Sequence, residues 1–166
     1  MSSPRFHSSL AFPFTQALEQ NWREIHREFL GIRNSLVDWV ERELYGEGWK
    51  VFGLFDFPNG EAMTEGVARC PFTAALVQAH IPRHGAVGFS VLQPNTRIQR
   101  HQGYQGPFLR CHLGLDIPDG DCRLQLEDES RAWENGRTLV FDDRHWHEAW
   151  NLTERERVVL LTDFIP

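Results

Sequence analysis

The sequence predicts an α+β chain that is mainly β, with helices gathered near the N-terminus and a sandwich or barrel of the jelly-roll kind after them. Three observations point there. Apolar residues recur with helical spacing in the first half of the chain. From Ala86 onward short apolar runs take over, and Gly, Pro, Asn and Asp punctuate those runs. At 166 residues the chain is long enough for one domain with a sizeable core, about 1–85 as helical support with a first strand and about 86–166 as the β core.

The elements follow in order. Leu18, Trp22, Ile25 and Phe29 fall on one helical face, with Glu19, Arg23, Glu24, Arg27 and Glu28 on the others; Gly31 is expected to interrupt this helix. A second helix is expected to carry Leu36, Val37, Trp39, Val40 and Leu44 and to end at Gly46. Residues 50–57 read as a strand closed by a Pro-Asn-Gly turn, and Pro71 opens a helix that Pro82 stops. Strands are then expected at 86–93, 97–101, 108–117, 122–127, 138–142, 145–151 and 156–164.

Composition narrows the function classes. The net charge of -6 and the lack of a basic stripe argue against nucleic acid. No run of about 18 apolar residues predicts a membrane span. The N-terminus lacks an apolar stretch behind a basic end, so no signal peptide is expected. Three cysteines with no close pair fit a reducing compartment, so the expected location is cytoplasmic.

Chemistry concentrates late in the chain, where five of the eight histidines follow residue 83. In the strand 108–117, Leu109, Cys111, Leu113 and Leu115 share one face, while Arg110, His112 and Asp116 share the other. A surface strand and a strand lining a polar pocket both fit that pattern; in the second case Arg110 suits a carboxylate. His145 and His147 lie two apart, on one strand face, with Asp143 joining them if the strand extends that far. Two imidazoles near a carboxylate can hold Fe, Zn, Ni or Mn, although such pairs also occur without metal. Arg157 falls ten residues after His147, and a hairpin between them would make them neighbours. A surface pairing with Glu154 or Glu156 is the other reading of Arg157.

The segments GFSVLQPNTRIQRHQGYQGPFLRCHLGLDIP, WENGRTLVFDDRHWHEAWN and RVVLLTDF together resemble the aspartyl/asparaginyl β-hydroxylase family. LEQNWREIHREFL and RCPFTAALVQAHIP extend that resemblance over nearly the whole chain. It implies a double-stranded β-helix and a dioxygenase that uses Fe(II), 2-oxoglutarate and O2 and releases succinate and CO2. It further implies that His101, in the HxG, and His147, in HEAW, bind the iron, and that Ser90 and Arg157 hold the distal carboxylate of 2-oxoglutarate. Arg110 and His112 would line the same pocket. Gly103, at the position where other mononuclear iron sites carry an acid, fits the family pattern, and Asp142 or Asp143 is expected to hydrogen-bond a metal-bound water; Asp143 is the catalytic candidate.

The expected substrate is a small molecule, a peptide or a carrier-bound amino acid. Arg97, Arg100, Arg123, Arg131 and Arg144 either meet an acidic substrate or are simply solvated. Two alternatives stand beside the oxygenase. One is a cupin-like metalloenzyme that needs no 2-oxoglutarate, favoured by the His145-x-His147 pair. The other is a non-catalytic anion-binding module.

Overall fold

The computed structural model describes residues 3–166. Two antiparallel sheets lie face to face, and helices cover the outside of the larger one. The larger sheet contains β1 (Phe6–His7), β2 (Val37–Asp38), β3 (Trp49–Phe55), β4 (His84–Leu92), β6 (Leu109–Asp116), β9 (Thr138–Phe141) and β11 (Arg157–Phe164), in the order β1-β9-β6-β11-β4-β3-β2. The smaller contains β5 (Thr96–His101), β7 (Cys122–Leu126), β8 (Glu129–Arg131) and β10 (His147–Asn151), in the order β5-β10-β7-β8. This is the double-stranded β-helix that the alternating late strands and the family resemblance imply.

Strand alternation gives the large sheet two apolar faces. On its outer face Phe89, Val91, Leu113 and Leu160 form one core with Ile25 and Phe29 of α2 (Trp22–Ile32). α1 (Phe14–Gln20), α3 (Thr64–Arg69) and α4 (Pro71–His80) complete that layer. On its inner face Leu92, Phe141 and Val159 meet Ile98, Leu124 and Leu126 of the smaller sheet. Between the two cores the gap between the sheets opens where Ser90, Arg110, His112, His147 and Arg157 point inward, and the candidate functional residues gather there.

Three expectations about elements change. The helix expected over residues 36–46 does not form. Val37 and Asp38 pair instead with Val51 and Lys50 as an edge strand, Arg42–Leu44 makes one 3-10 turn, and Trp39 lies against Trp49 with ring centroids 5.2 Å apart. Strand pairing and aromatic packing outweigh the helical spacing there. Gly31 lies within α2 rather than interrupting it, and the chain breaks earlier, at Asn21 between α1 and α2. The strand expected at 145–151 begins only at His147, so His145 sits in the preceding turn and does not share a strand face with it. No helix is long and apolar enough to cross a membrane.

Candidate active site

β5 and β10 pair so that His101 stands directly opposite His147. Their ring centroids are 4.3 Å apart. Each ring is oriented by its own backbone two residues back: His101 Nδ1 lies 2.7 Å from the Gln99 carbonyl, and His147 Nδ1 lies 2.8 Å from the His145 carbonyl. A carbonyl only accepts, so both Nδ1 atoms carry a proton, and the neutral form of each ring presents its Nε2 lone pair. Burial holds the His147 pKa down at about 3, so its imidazole is neutral at ordinary pH. Two imidazoles whose Nε2 atoms are turned from their backbone partners are suitable ligands for a borderline divalent metal. Among the described residues no group of three or more His, Cys, Asp or Glu converges on one point.

Gly103 has a steric reason to be glycine. A Cβ there would lie 2.3 Å from Asp143 Oδ2, and the Gly103 N–H donates to the Asp143 carbonyl at 2.8 Å. The carboxylate of Asp143 thus occupies the space that a side chain two residues after His101 would need. Asp143 is buried, and its nearest charged partner is Arg110 Nη1 at 3.5 Å. Asp142 is committed elsewhere. It accepts from Arg144 Nε at 2.8 Å, Arg144 Nη2 at 2.7 Å and the Ser3 hydroxyl. Burial opposes its charge, yet those hydrogen bonds prevail and hold its pKa down at about 2. Of the two aspartates, Asp143 is the one left facing the site. His145 turns away, with Nε2 3.1 Å from the Ser3 carbonyl and Nδ1 3.8 Å from Glu127. The geometry therefore gives no support to His145 as a third metal ligand.

A small inner chamber of about 40 Å³ adjoins the two imidazoles, lined among others by Ser90, Arg110, His112 and Arg157. Arg157 and His147 both line it, from opposite sheets. The expected hairpin does not pair them, because β10 lies in the small sheet and β11 in the large one. Arg157 is 2% exposed, so the surface reading fails; Glu156 instead pairs with Arg33. Its Nη2 donates to the Ser90 carbonyl and hydroxyl, both at 3.1 Å, and its guanidinium lies 4.6 Å from the Trp133 ring centroid. No carboxylate among the described residues pairs with it, and its Nε has no partner. Burial pulls its pKa down to about 10, still charged at neutral pH.

Two neighbours repeat this shortage of acceptors. Trp133 Nε1 donates to His112 Nδ1 at 3.1 Å; an indole only donates, so the neutral His112 carries its proton on Nε2. That Nε2 is buried without a partner. Burial, with Arg157 and Arg110 nearby, keeps the His112 pKa well below its ordinary value. Ser90 Oγ accepts from Trp49 Nε1 at 3.0 Å as well as from Arg157, which leaves its hydroxyl proton free to donate. The chamber offers a cation and three unused donors, a set that fits an anionic, acceptor-only ligand such as a carboxylate.

Arg110 is more constrained than a free carboxylate receptor. Its Nε and Nη2 grip Asp163 at 2.7 and 3.0 Å, which leaves Nη1 toward Asp143. Burial works against the Arg110 charge, but Asp163 and Asp143 outweigh it and raise its pKa. Asp163 and Trp133 escaped the sequence reading. The alternation of β11 could have placed Asp163 on the same inward face as Arg157, whereas nothing local in the sequence marks Trp133.

A family model described as aspartyl/asparaginyl beta-hydroxylase matches residues 19–166. The ornithine lipid ester-linked acyl 2-hydroxylase of Rhizobium tropici is 30% identical over 99% of the chain, and the chain spans 62% of its length. The aspartyl/asparaginyl beta-hydroxylase of Mus musculus is 30% identical over 89% of the chain, which spans 21% of that protein. Among solved structures, a prolyl-4-hydroxylase of Pseudomonas putida aligns with a TM-score of 0.58 at 16% identity, covering 89% of this chain and 86% of that one. A prolyl hydroxylase of Trichoplax adhaerens aligns with a TM-score of 0.55 at 15% identity, covering 88% and 79%. At such identities the likeness is one of fold.

Two outcomes follow from the aspartates. Asp143→Ala is expected to weaken retention of a divalent metal by about tenfold or more, read by competition with a chromophoric chelator; unchanged retention and turnover would remove Asp143 from the site. Asp142 has a depressed folded pKa, so its stabilising contribution is present above about pH 4 and is lost as pH falls toward about 2. Asp142→Asn should lower stability at neutral pH by about 1–3 kcal/mol. It should also flatten the fall in Tm over that acid range, measured by thermal melts.

Proposed function

This chain belongs to the aspartyl/asparaginyl β-hydroxylase family, and from that premise we propose that it is a non-haem dioxygenase dependent on Fe(II) and 2-oxoglutarate. The observation that carries the proposal is the buried Arg157 guanidinium, without a carboxylate partner, beside two imidazoles with free Nε2 atoms. His101 and His147 would hold the iron. Arg157 and Ser90 would hold the distal carboxylate of 2-oxoglutarate, with His112 Nε2 and the remaining edge of Arg110 donating into the same chamber. When bound, iron, 2-oxoglutarate and O2 supply the oxidising power for hydroxylation of a carbon centre, with release of succinate and CO2.

The residues of this chain bind, orient and exclude water. The backbone carbonyls of Gln99 and His145 fix the two imidazole rings, so neither must reorganise to meet a metal. Trp49 and Arg157 orient the Ser90 hydroxyl so that its proton faces an acceptor. Asp143, held near Gly103, would accept a hydrogen bond from a water on that side of the site. Phe141, Leu124 and Leu161 dry the chamber walls, which strengthens every charge contact inside.

The relatives are named for an ornithine-lipid acyl chain and for aspartyl or asparaginyl groups, so the substrates to consider are amino-acid-like, peptide and small molecules, and acyl chains. A cytoplasmic setting belongs to the same proposal, supported by three buried thiols free of disulfides.

Protein loaded anaerobically with Fe(II) and 2-oxoglutarate is expected to release succinate when oxygen and a substrate panel are added. Both ligands bound with no succinate formed would contradict the reading. Arg157→Ala is expected to raise the apparent 2-oxoglutarate requirement sharply, by an amount equivalent to about 2–5 kcal/mol of binding. An unchanged requirement would take Arg157 out of this role.

A further inference from the structure

Outside the inner chamber lies a larger open cavity of about 640 Å³ that reaches His101 and Asp143. Trp49, Ser90 and Arg110 line both spaces, whereas His112 and Arg157 belong to the inner chamber alone. Beyond the imidazole pair, nearly every polar side chain lining the inner chamber can only donate. Arg110 and Arg157 have no acceptor atom. Ser90 Oγ already takes Trp49 Nε1 at 3.0 Å and Arg157 Nη2 at 3.1 Å, which fills both of its lone pairs. Only His112 has a choice. Burial and the nearby arginines keep it neutral, and a neutral ring offers a donor at Nε2 in one tautomer and an acceptor in the other.

Trp133 makes that choice. It lies in the connection between β8 and β9, buried and behind the chamber lining. The connection is pinned to β6 just past His112. Gly114 bridges Asn135, the Gly114 N–H donates to the Arg137 carbonyl at 3.0 Å, and the Gly136 N–H donates to the Gly114 carbonyl at 2.9 Å. A Cβ on Gly114 would lie 2.0 Å from the Glu134 carbonyl oxygen, so only glycine allows this approach of backbones. The docked connection carries the indole to His112, where Nε1 donates to Nδ1 at 3.1 Å. Phe141 meets the same imidazole edge-on, with ring centroids 4.9 Å apart. A proton on Nδ1 would set two buried donors against each other. Nε2 is the ring nitrogen left for the chamber. The indole face also lies 4.6 Å from the Arg157 guanidinium. Any aromatic ring could keep that second contact, but the N–H belongs to tryptophan.

We propose that Trp133 is a positioning residue that sets the selectivity of the inner chamber: by donating to His112 Nδ1 it fixes Nε2 as a donor, so the chamber takes a carboxylate and rejects the isosteric carboxamide. The identity of the carboxylate as 2-oxoglutarate rests on the oxygenase reading; the tautomer does not. Arg157 favours the carboxylate by charge, yet a carboxamide still brings a carbonyl that Arg157 can use. Its NH2 group is what the chamber refuses, because that group needs an acceptor and finds none. Without the indole N–H, His112 can move its proton to Nδ1 and accept from the amide.

Two measurements test this. Long-range proton–nitrogen correlation spectra of the metal-free full chain read the His112 tautomer, with His112→Gln assigning the signal. The Nε2–H form is expected in the unaltered chain. A mixture of both forms is expected in Trp133→Phe, which keeps a ring against Arg157 and removes the N–H. Anaerobic calorimetry of the Fe(II) form then compares N-oxalylglycine, an isostere of 2-oxoglutarate that is not turned over, with N-oxalylglycinamide, its far-end carboxamide. The acid is expected to bind about a hundredfold more tightly or better, and Trp133→Phe to cut that ratio about tenfold, chiefly by strengthening the amide. In a His112→Ala background, Trp133→Phe should leave the ratio unmoved, because the indole acts through the imidazole. A predominant Nδ1–H form in the unaltered chain overturns the proposal and requires no variant to fold. A ratio indifferent to Trp133→Phe also overturns it, as does an equal fall without His112. If neither N-oxalylglycine nor 2-oxoglutarate binds, the oxygenase reading is contradicted, and the tautomer spectrum still decides whether Trp133 fixes the donor.

Discussion

A buried guanidinium without a counterion is the constraint on which the rest of this molecule depends. Arg157 is the largest fully buried side chain, and its charge is met within the described residues only by the Ser90 oxygens and the face of Trp133. Placing a charge there is unfavourable for folding unless something offsets it, and a cation–π contact worth about 2 kcal/mol at best does so only in part. The neighbouring donors compound the cost, because His112 Nε2 and the Ser90 proton also lack acceptors. A fold that stabilises such a set gains from a dianionic ligand what a well-paired core would gain from its own residues. The architecture makes this tolerable: the charge sits between two sheets with apolar residues around it, and a second, larger apolar core lies on the outer face beneath α2.

The same gap between the sheets organises the imidazole pair. His101 and His147 face each other across a strand pair, and each ring is locked by a carbonyl of its own strand or turn. Gly103 and Asp143 then form a complementary pair, one giving up a side chain and the other filling the space. Arg110 ties this corner to β11 through Asp163. The inner chamber, the imidazole pair and the outer cavity are therefore consecutive parts of one passage, with Trp49 lining both compartments.

The β core was legible because its strands alternate cleanly: the outward face of β6 holds Leu109, Cys111, Leu113 and Leu115, and the inward face holds Arg110 and His112, as period two requires. The residues that come together at the site could be listed through a family resemblance, but their geometry could not. Spacing suggested a hairpin between His147 and Arg157, whereas the contact comes from sheet-on-sheet packing, which has no local signature. The helix expected over 36–46 failed for a related reason, since the pairing of Val37 with Val51 is a long-range gain that helical periodicity does not register. By spacing alone His145 and His147 share a strand face; the turn instead places His147 on the strand and His145 against Ser3. Gly103 illustrates the limit best: its meaning lies in an aspartate forty residues away.

The central claim is that Arg157 awaits the far carboxylate of a dicarboxylic co-substrate. Anaerobic calorimetry of the Fe(II) form with 2-oxoglutarate and with pyruvate, which keeps the keto acid end and lacks the far carboxylate, isolates that contact. The account predicts that 2-oxoglutarate binds on the order of a hundredfold more tightly than pyruvate. Equal affinities for the two would contradict it.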